Sequence, residues 1–469
     1  METVKQNKNK IPINLFNTLS GQKEEFKPRV ERVVTMYNCG PTVYDYATIG
    51  NLRAYVFANT LRRMFEHNGY EVKQVINITD VGHLTSDADE GEDKIESGAK
   101  REGLKVKKIV KQYTDAFMDD MKKLNIDIDK ITFPKATEHI GEQIAFIQTL
   151  DEKGYTYKTS DGIYFDTSLK PDYGKLGNID TKGIKEGARV KENKEKKNPT
   201  DFALWKFSKK DENREQEWDS PWGVGFPGWH IECSAMSMKH LGKQIDVHTG
   251  GVDHIPVHHN NEIAQTESVT GKQFVNYWMH NEDVTIEGQK ISKSLGNTVY
   301  LRNIIDRGFS PLSLRYWFLT ANYKTRINFT WEALLGAQTA LFKLHKHFVE
   351  DYLPSRQAGD AKNGEINKKY EQKFHEYIND DLDTPKSIAL MWDLVKDNNI
   401  NDADKRSTLL EFDRVLGLGL DNSNKKLVTL LSGKGDKLEI GKLPKTIQKL
   451  VEDREKARKE KDFEKADKL

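Results

Sequence analysis

Cysteine is scarce in this sequence, which has only Cys39 and Cys233 among 469 residues. The two are far apart, so the Cys-x-x-Cys spacing common to zinc sites is absent. A secreted fold held by a single disulfide is an alternative. A reduced intracellular chain is favoured, because one bridge would staple a chain of this size poorly.

Long apolar runs are also lacking, and the net charge is close to zero. No segment approaches the roughly 18 apolar residues of a membrane-spanning helix. The start, Met1 to Leu15, lacks the apolar centre of a signal peptide. We therefore expect a cytoplasmic protein with no membrane partner. Lys plus Arg number 73 against 72 acidic residues, a net charge of +1, but nucleic-acid binding needs only a local basic face.

The first part of the chain has a strand–helix–strand pattern. Arg32 to Asn38 reads as a buried strand that runs into the turn Cys39-Gly40-Pro41. Apolar residues from Leu52 to His67 recur at helical spacing, and Tyr70 to Ile78 reads as a second strand. These elements predict a βαβ unit and a Rossmann-like parallel sheet of the α/β class.

The later pattern predicts an inserted domain and a C-terminal helical bundle. The stretch from Gly103 to Gly154 reads as helical, Gly162 to Phe165 as a strand, and 224–300 as glycine-rich turns with short strands. After Trp331 the pattern is helical. The predicted boundaries are 1–125 and 216–285 for the two halves of the sheet domain, 126–215 for the insertion, 286–330 for a following region and 331–469 for the bundle.

A metal site is one interpretation of the two cysteines together with His258 and Glu262. These last two lie four residues apart, on one face of a helix. Two thiolates, an imidazole and a carboxylate form a complete ligand set for zinc. On spacing alone the simpler interpretation, two buried free cysteines and surface histidines, is favoured. His259 is the alternative histidine ligand.

Two further motifs suit a nucleotide. Lys290-Ile291-Ser292-Lys293-Ser294 is a cationic loop suited to ATP phosphates, although a solvated turn would look similar. The turn from Cys39 to Asn51 lies between a strand and a helix, where helix N-termini receive anions. Gly50 would let the backbone approach a nucleotide closely.

Together these motifs resemble the class I aminoacyl-tRNA synthetases, and among them the cysteinyl family, over nearly the full chain. CGPTVYDYATIGNLR resembles the first class I signature, and KISKS resembles the second. NITD, PGWHIECSAMS and HHNNEIAQ are similar to segments of the cysteinyl branch.

The resemblance implies an enzyme that activates L-cysteine with ATP and Mg²⁺ and passes the cysteinyl group to tRNA(Cys). It implies one zinc ion held by the four candidate ligands, with Cys39, Gly40, Thr79 and Trp229 around the cysteine. A shape-only pocket would separate cysteine from serine by roughly 1–3 kcal/mol. Zinc prefers the thiolate, so we expect the metal to select cysteine without an editing domain.

On the nucleotide side, the resemblance implies roles for a second group of residues. The catalytic positions fall on Thr48, Asn51, Lys290 and Lys293; nucleotide contacts fall on Gly50, Gly250, Gly251, Asp253 and Lys293. It further implies that 286–330 contacts the tRNA stem and that 331–469 binds tRNA. The stretch from Asp380 to Pro385 resembles the opening of the family's tRNA-binding helical bundle. A monomer is expected.

The sequence departs from the family in two places. Thr48 occupies the first histidine of the first signature, which predicts a slower but active enzyme. An amphipathic pattern from Ile447 runs to Leu469 with no stop signal, so the chain is expected to end before the family's last anticodon-reading region.

Two rival functions stay open. One is a tRNA-independent ligase that joins activated cysteine to an amino-sugar on the same core. The other is a catalytically weak paralogue that binds tRNA or nucleotide, for which Thr48 is the support.

Overall fold

The computed structural model describes residues 11–82, 93–179, 194–209, 214–292, 296–349 and 364–424, with isolated positions beyond. Its strands within these ranges are β1 Asn14–Asn17, β2 Gln22–Glu25, β3 Val33–Asn38, β4 Glu71–Ile76, β5 Ile131–Thr132, β6 Thr156–Lys158, β7 Gly162–Phe165, β8 Phe202–Phe207, β9 Gly225–Pro227, β10 Ile245–Gly251, β11 Val275–Asn281, β12 Val284–Ile286, β13 Gln289–Lys290 and β14 Ile327–Phe329.

The helices lie between and after these strands. They are α1 Ile49–His67, α2 Lys94–Glu102, α3 Val106–Lys123, α4 Ile140–Glu152, α5 Trp229–Leu241, α6 Asn260–Thr270, α7 Leu301–Asp306, α8 Pro311–Leu319, α9 Trp331–Lys346, α10 Lys368–Ile378, α11 Thr384–Lys396 and α12 Asp402–Leu416.

A five-stranded parallel sheet forms the centre of the molecule, in the order β11-β10-β3-β4-β5. Tyr37 on β3 lies opposite Val75 of β4 on one side and His248 of β10 on the other. The chain thus leaves β3 toward β4 through α1 and returns much later on the opposite side. Such a switch in strand order opens a crevice at the carboxyl ends of the strands. The predicted Rossmann-like fold is confirmed.

Helix α1 holds the sheet against its neighbours. Its apolar residues, including Leu52, Val56 and Phe65, are buried in the main core. The same helix buries the Arg53 guanidinium, which donates to the carbonyl oxygens of residues 282, 283, 322 and 325. Charge-assisted bonds to four carbonyls keep this arginine satisfied in the interior, so α1 is tied to the chain that follows β11.

The smaller units surround this sheet. Strands β6 to β9 form an antiparallel sheet, and β12, β13 and β14 form a three-stranded one. Helices α9 to α12 form the predicted helical segment, and α12 packs on α1. No helix among the described residues is long and apolar enough to cross a membrane.

Two coarse predictions of secondary structure were wrong. The stretch from Gly103 to Gly154 is interrupted by β5, a strand too short to have a sequence pattern. The stretch 224–300 contains two helices, α5 and α6, where turns and strands were expected. Residues 230–237 of α5 are all buried, so the helix lacks the polar face that marks amphipathic helices in a sequence.

The predicted domain boundaries stay predictions. Strand β5 pairs with the central sheet although it follows residue 126, and β9 pairs with the antiparallel sheet although it follows residue 216. The amphipathic pattern from Ile447 to Leu469 lies almost wholly outside the described residues.

Candidate active site and metal centre

The carboxyl ends of the parallel strands carry most of the predicted site residues. Cys39 and Gly40 follow β3, Asn77 follows β4, and Gly250 ends β10. A Cβ on Gly40 would lie 1.5 Å from the carbonyl oxygen of Asn77. Only glycine permits this approach, in which the Gly40 amide donates to Asn77 Oδ1 at 2.8 Å.

Four side chains predicted as metal ligands converge below this edge. Their ligand atoms, from Cys39, Cys233, His258 and Glu262, all lie within 4.8 Å of one another. Cys233 comes from α5 and Glu262 from α6, while His258 lies in a π-helical turn, Ile255–His259, that leads into α6. The turn keeps the expected contact, because His258 Nε2 lies 3.1 Å from Glu262 Oε1. Apart from the half-buried Cys39, the group is buried.

A second set of four overlaps the first. Cys39, His248, His259 and Glu262 also place their ligand atoms within 4.8 Å of one another. His248 Nε2 lies 2.9 Å from Glu262 Oε2, and His259 Nε2 lies 3.3 Å from Cys39 Sγ. The second set shares Cys39 and Glu262 with the first. His248 and His259 can therefore also act as hydrogen-bond partners that orient these two ligands.

The electrostatics of the cluster favour charged donors. Burial opposes ionisation of Glu262, yet His248 and His258 beside it lower its pKa to about 2. A hydrogen bond from Cys39 lowers the pKa of Cys233 to about 7, while burial raises the pKa of Cys39. Burial disfavours charge on His258, but hydrogen bonds with Cys233 and Glu262 raise its pKa to about 10. One thiolate and one carboxylate are thus available near neutral pH.

Further histidines around the cluster are held neutral. Burial lowers the pKa of His254 to about 4, and burial together with neighbouring imidazoles lowers the pKa values of His259 and His280. Neutral imidazoles can each donate one hydrogen bond and accept one.

Of Thr79 and Trp229, the predicted neighbours of cysteine, Trp229 lines the cleft described below and Thr79 is not among its lining residues. The Trp229 ring packs on His258, with ring centroids 4.4 Å apart, and faces the ammonium of Lys94 at 5.3 Å. Thr79 is buried and donates to Glu232 Oε2 at 2.9 Å. Burial raises the pKa of Glu232, so this carboxyl group tends toward its neutral form.

A cleft of about 480 Å³ opens above the cluster. Its walls contain most of the remaining predicted residues: Cys39, Gly40, Thr48, Gly50, Asn51, Trp229, Gly250, Gly251, Asp253 and Lys290. Cys39 belongs to both the metal cluster and the cleft. A metal ion held by the cluster would therefore face a molecule bound in the cleft.

Thr48 caps the helix that lines one wall of this cleft. Its Oγ1 accepts from the Asn51 amide at 3.3 Å and donates to Asn51 Oδ1 at 2.7 Å. The Asn51 side chain in turn accepts from the Thr48 amide at 3.0 Å. This reciprocal capping box engages the hydroxyl proton of Thr48, the residue that stands at the first histidine of the signature.

The cationic loop lines the cleft beside the start of α1, through Lys290 and Ile291. Lys290 ends the β12–β13 hairpin and is exposed, while Lys293 lies outside the described residues. Asn297 bridges the loop, since its Oδ1 accepts from the Ser292 amide and its Nδ2 donates to the Lys290 carbonyl. These two bonds hold Asn297 close to Lys290 and Ser292. Ile291 between them lies against Gly50, since a Cβ on Gly50 would lie 3.1 Å from Ile291 Cδ1.

Several residues of the site were missed by the sequence analysis. Asn77 and Glu232 hold Gly40 and Thr79, and both lie within the quoted motifs NITD and PGWHIECSAMS. His248 lies two residues before Gly250, and His280 lies in an ordinary-looking strand. The motifs contained a signal for Asn77 and Glu232. His248 and His280 can be recognised as site residues only once the strand order is known.

Comparison with known proteins agrees with this geometry. Residues 25–339 match the family model described as the tRNA synthetases class I (C) catalytic domain. A cysteine–tRNA ligase 1 of Burkholderia lata is 47% identical over 460 residues, which cover 98% of this chain and 93% of the relative. A cysteine–tRNA ligase of Treponema denticola is 42% identical over 476 residues, covering 98% and 95%.

A solved structure shares the fold. The methionyl-tRNA synthetase of Mycobacterium tuberculosis in complex with methionyl-adenylate has a TM-score of 0.56 to this chain at 13% identity. The likeness covers 85% of this chain and 93% of that one. At this identity the likeness concerns the arrangement of strands and helices.

Proposed function

Because this chain belongs to the class I cysteine–tRNA ligases, we propose that the cleft above Cys39 binds L-cysteine and ATP for adenylate formation before transfer to tRNA(Cys). The observation that carries the proposal is the position of Cys39, which lies both in the metal cluster and in the cleft. The substrate thiol is thereby directed to the cluster and the phosphates to the opposite wall.

The donor set fits zinc. Two sulfur atoms, one imidazole and one carboxylate match the ligands that zinc prefers. The four come from separate elements and are buried together, and His248 and His259 supply the supporting hydrogen bonds typical of metal ligands. We therefore assign the ion to Cys39, Cys233, His258 and Glu262. When bound, zinc supplies a preference for a thiolate over an alcohol.

The residues of the cleft orient the two substrates. Trp229 packs on His258 in the wall of the cleft, so it limits the size of the amino acid. Thr79 keeps the role of a cysteine neighbour by the family pattern. On the other wall, the amides at the start of α1 and the Lys290 ammonium supply positive charge for the phosphates of ATP. Gly250, Gly251 and Asp253 line the same cleft and contact the nucleotide by the family pattern. Lys293 joins Lys290 as a second phosphate ligand by the family pattern.

The test is cysteine-dependent pyrophosphate exchange followed by charging of tRNA(Cys). We expect exchange with cysteine, little with serine, and charging by the zinc-loaded protein. Cys233→Ser should lower zinc content and cysteine affinity together. Ser237→Ala, one turn further along α5, should change neither, since this hydroxyl only donates to the Ser234 carbonyl.

The rival functions give different results in the same assays. Exchange without tRNA charging, but with cysteine transfer to an amino-sugar, would favour the tRNA-independent ligase. Absence of exchange with retained tRNA binding would favour a weak paralogue. A cytoplasmic location and a monomeric state remain predictions.

A further inference from the structure

A chain of three hydrogen bonds leads from the surface hairpin to the Cys39 sulfur. Thr18, in the turn between β1 and β2, places Oγ1 2.8 Å from His280 Nδ1. His280 Nε2 lies 2.7 Å from His259 Nδ1, and His259 Nε2 lies 3.3 Å from Cys39 Sγ. Both imidazoles are buried, at 4% and 0% exposure. In this Thr18–His280–His259–Cys39 relay, the first three residues have no part in the proposed contacts with substrates.

We propose that the relay is polarised toward the sulfur, so that His259 is a positioning residue that donates Nε2–H to the Cys39 thiolate and does not bind the metal. The inference rests on the proposed zinc site, where Cys39 acts as a thiolate. A thiolate only accepts, so the nitrogen that faces it must carry hydrogen.

The remaining hydrogen positions follow from this first one. The 2.7 Å contact between the two rings needs one donor nitrogen and one acceptor nitrogen. With hydrogen on Nε2, His259 Nδ1 accepts from His280 Nε2–H. His280 Nδ1 then accepts from the Thr18 hydroxyl. Each of the three bonds of the relay then has one donor and one acceptor.

The two overlapping ligand sets require opposite directions of the relay. In the set containing His259 and His248, His259 Nε2 would need a free lone pair, which reverses every bond of the relay. His258 makes no hydrogen bond with the relay, although its ring centroid lies 5.7 Å from that of His259. A relay that points to the sulfur leaves the ligand position to His258 and the supporting position to His259.

Glycine makes room for the relay. A Cβ on Gly250 would lie 2.6 Å from His259 Cε1. The predicted nucleotide-contacting residue therefore also sets the position of the ring behind Cys39. A hydrogen bond to a metal-bound thiolate fixes its direction and withdraws charge from it, and loss of such a partner costs about 10–100-fold in metal affinity.

The experiment uses the full chain loaded with cobalt(II), whose sulfur-to-metal charge-transfer absorption reports the electron density on the thiolates. The variants are His259→Phe, His280→Phe and Thr18→Val, with Thr60→Val as the control that removes a buried hydroxyl elsewhere. Metal stoichiometry, affinity by chelator competition and the absorption band are measured, and thermal melting checks the fold.

We expect one cobalt per chain in all variants. His259→Phe and His280→Phe should lower the affinity by about 10–100-fold and shift the band in the same direction. Thr18→Val should cause a smaller shift of the same sign, and Thr60→Val none. Loss of binding in His259→Phe with retention in His258→Phe would overturn the proposal, as would an unchanged band in both relay histidine variants.

Two further outcomes separate the causes of failure. If the parent binds neither zinc nor cobalt, the proposed zinc site fails and the relay proposal fails with it. If the parent binds metal but the relay variants lack the expected loss of affinity and shift of the band, the zinc site stands and the relay proposal is wrong. Should the histidine variants unfold, Thr18→Val against Thr60→Val decides, because an unshifted band in Thr18→Val refutes the relay.

Discussion

Thr48 offers the sharpest prediction, because the substitution Thr48→His should lower stability while it raises the rate of adenylate formation. Replacement of an N-cap threonine by a residue without a capping group costs about 1 kcal/mol of stability. For a catalytic unit of this size, that corresponds to a fall in melting temperature of about 2–4 °C. We expect this loss in both Thr48→Val and Thr48→His, since neither side chain reproduces the bonds to Asn51.

The rates should separate these two variants. Thr48→Val removes this hydroxyl from the cleft, and adenylate formation should fall modestly, by less than about tenfold, because the α1 amides and Lys290 remain. Thr48→His restores a longer donor that can be charged, so adenylate formation should rise while the protein melts earlier. Cysteine affinity should change little in either variant.

Single-turnover adenylate formation and thermal melting are the two assays, and Thr48→Ser is the matched control. It keeps the hydroxyl and should resemble the parent in both. Equal melting temperatures for parent and Thr48→Val would show that the capping box contributes nothing. Equal rates for parent, Thr48→Val and Thr48→His would make Thr48 a purely structural residue.

Three further predictions concern other parts of the chain. Lys290→Ala should lower the single-turnover rate of adenylate formation on the order of 10²-fold, as for loss of one donor to developing charge, whereas exposed Lys272→Ala should not. Gly40→Ala should destabilise the fold by about 1–3 kcal/mol and reduce exchange, since the strand ends must separate; Gly141→Ala, with open space around it, is the control in thermal melts. Burial lowers the pKa of His345 to about 4, so the unfolded chain takes up a proton first as the pH falls below about 6.5. Chemical denaturation should show about 2 kcal/mol less stability at pH 5 than at pH 7.5 from this group, and a smaller difference in His345→Gln.

The parts of the fold that follow local patterns were predictable from the sequence. The βαβ unit was found because β3, α1 and β4 lie within about 50 residues and each has a regular apolar pattern. Most of the site residues predicted within the signature motifs line one cleft, and their roles stay predictions. Both results depend on information that lies within short segments of the chain.

Helices α5 and α6 were missed for a physical reason. They pass through the interior, and polar residues such as Glu232 and Gln265 are buried along with the apolar ones. Some of their polar side chains bond to partners on another helix: Gln265 Nε2, for example, donates to the His230 carbonyl and to Ser234 Oγ on α5. No apolar periodicity survives under these conditions, so sequence patterns favour turns.

The choice between His258 and His259 shows where spacing stops being informative. Residues three and four positions before Glu262 both face it on a helix, so the sequence admits either as its partner. The difference arises from what lies behind each ring. His259 meets His280 on β11, and Thr18 reaches the same histidine because the Thr18 amide donates to the Trp278 carbonyl. That contact joins positions about 260 residues apart in the chain, so only the assembled sheet distinguishes a candidate ligand from its support.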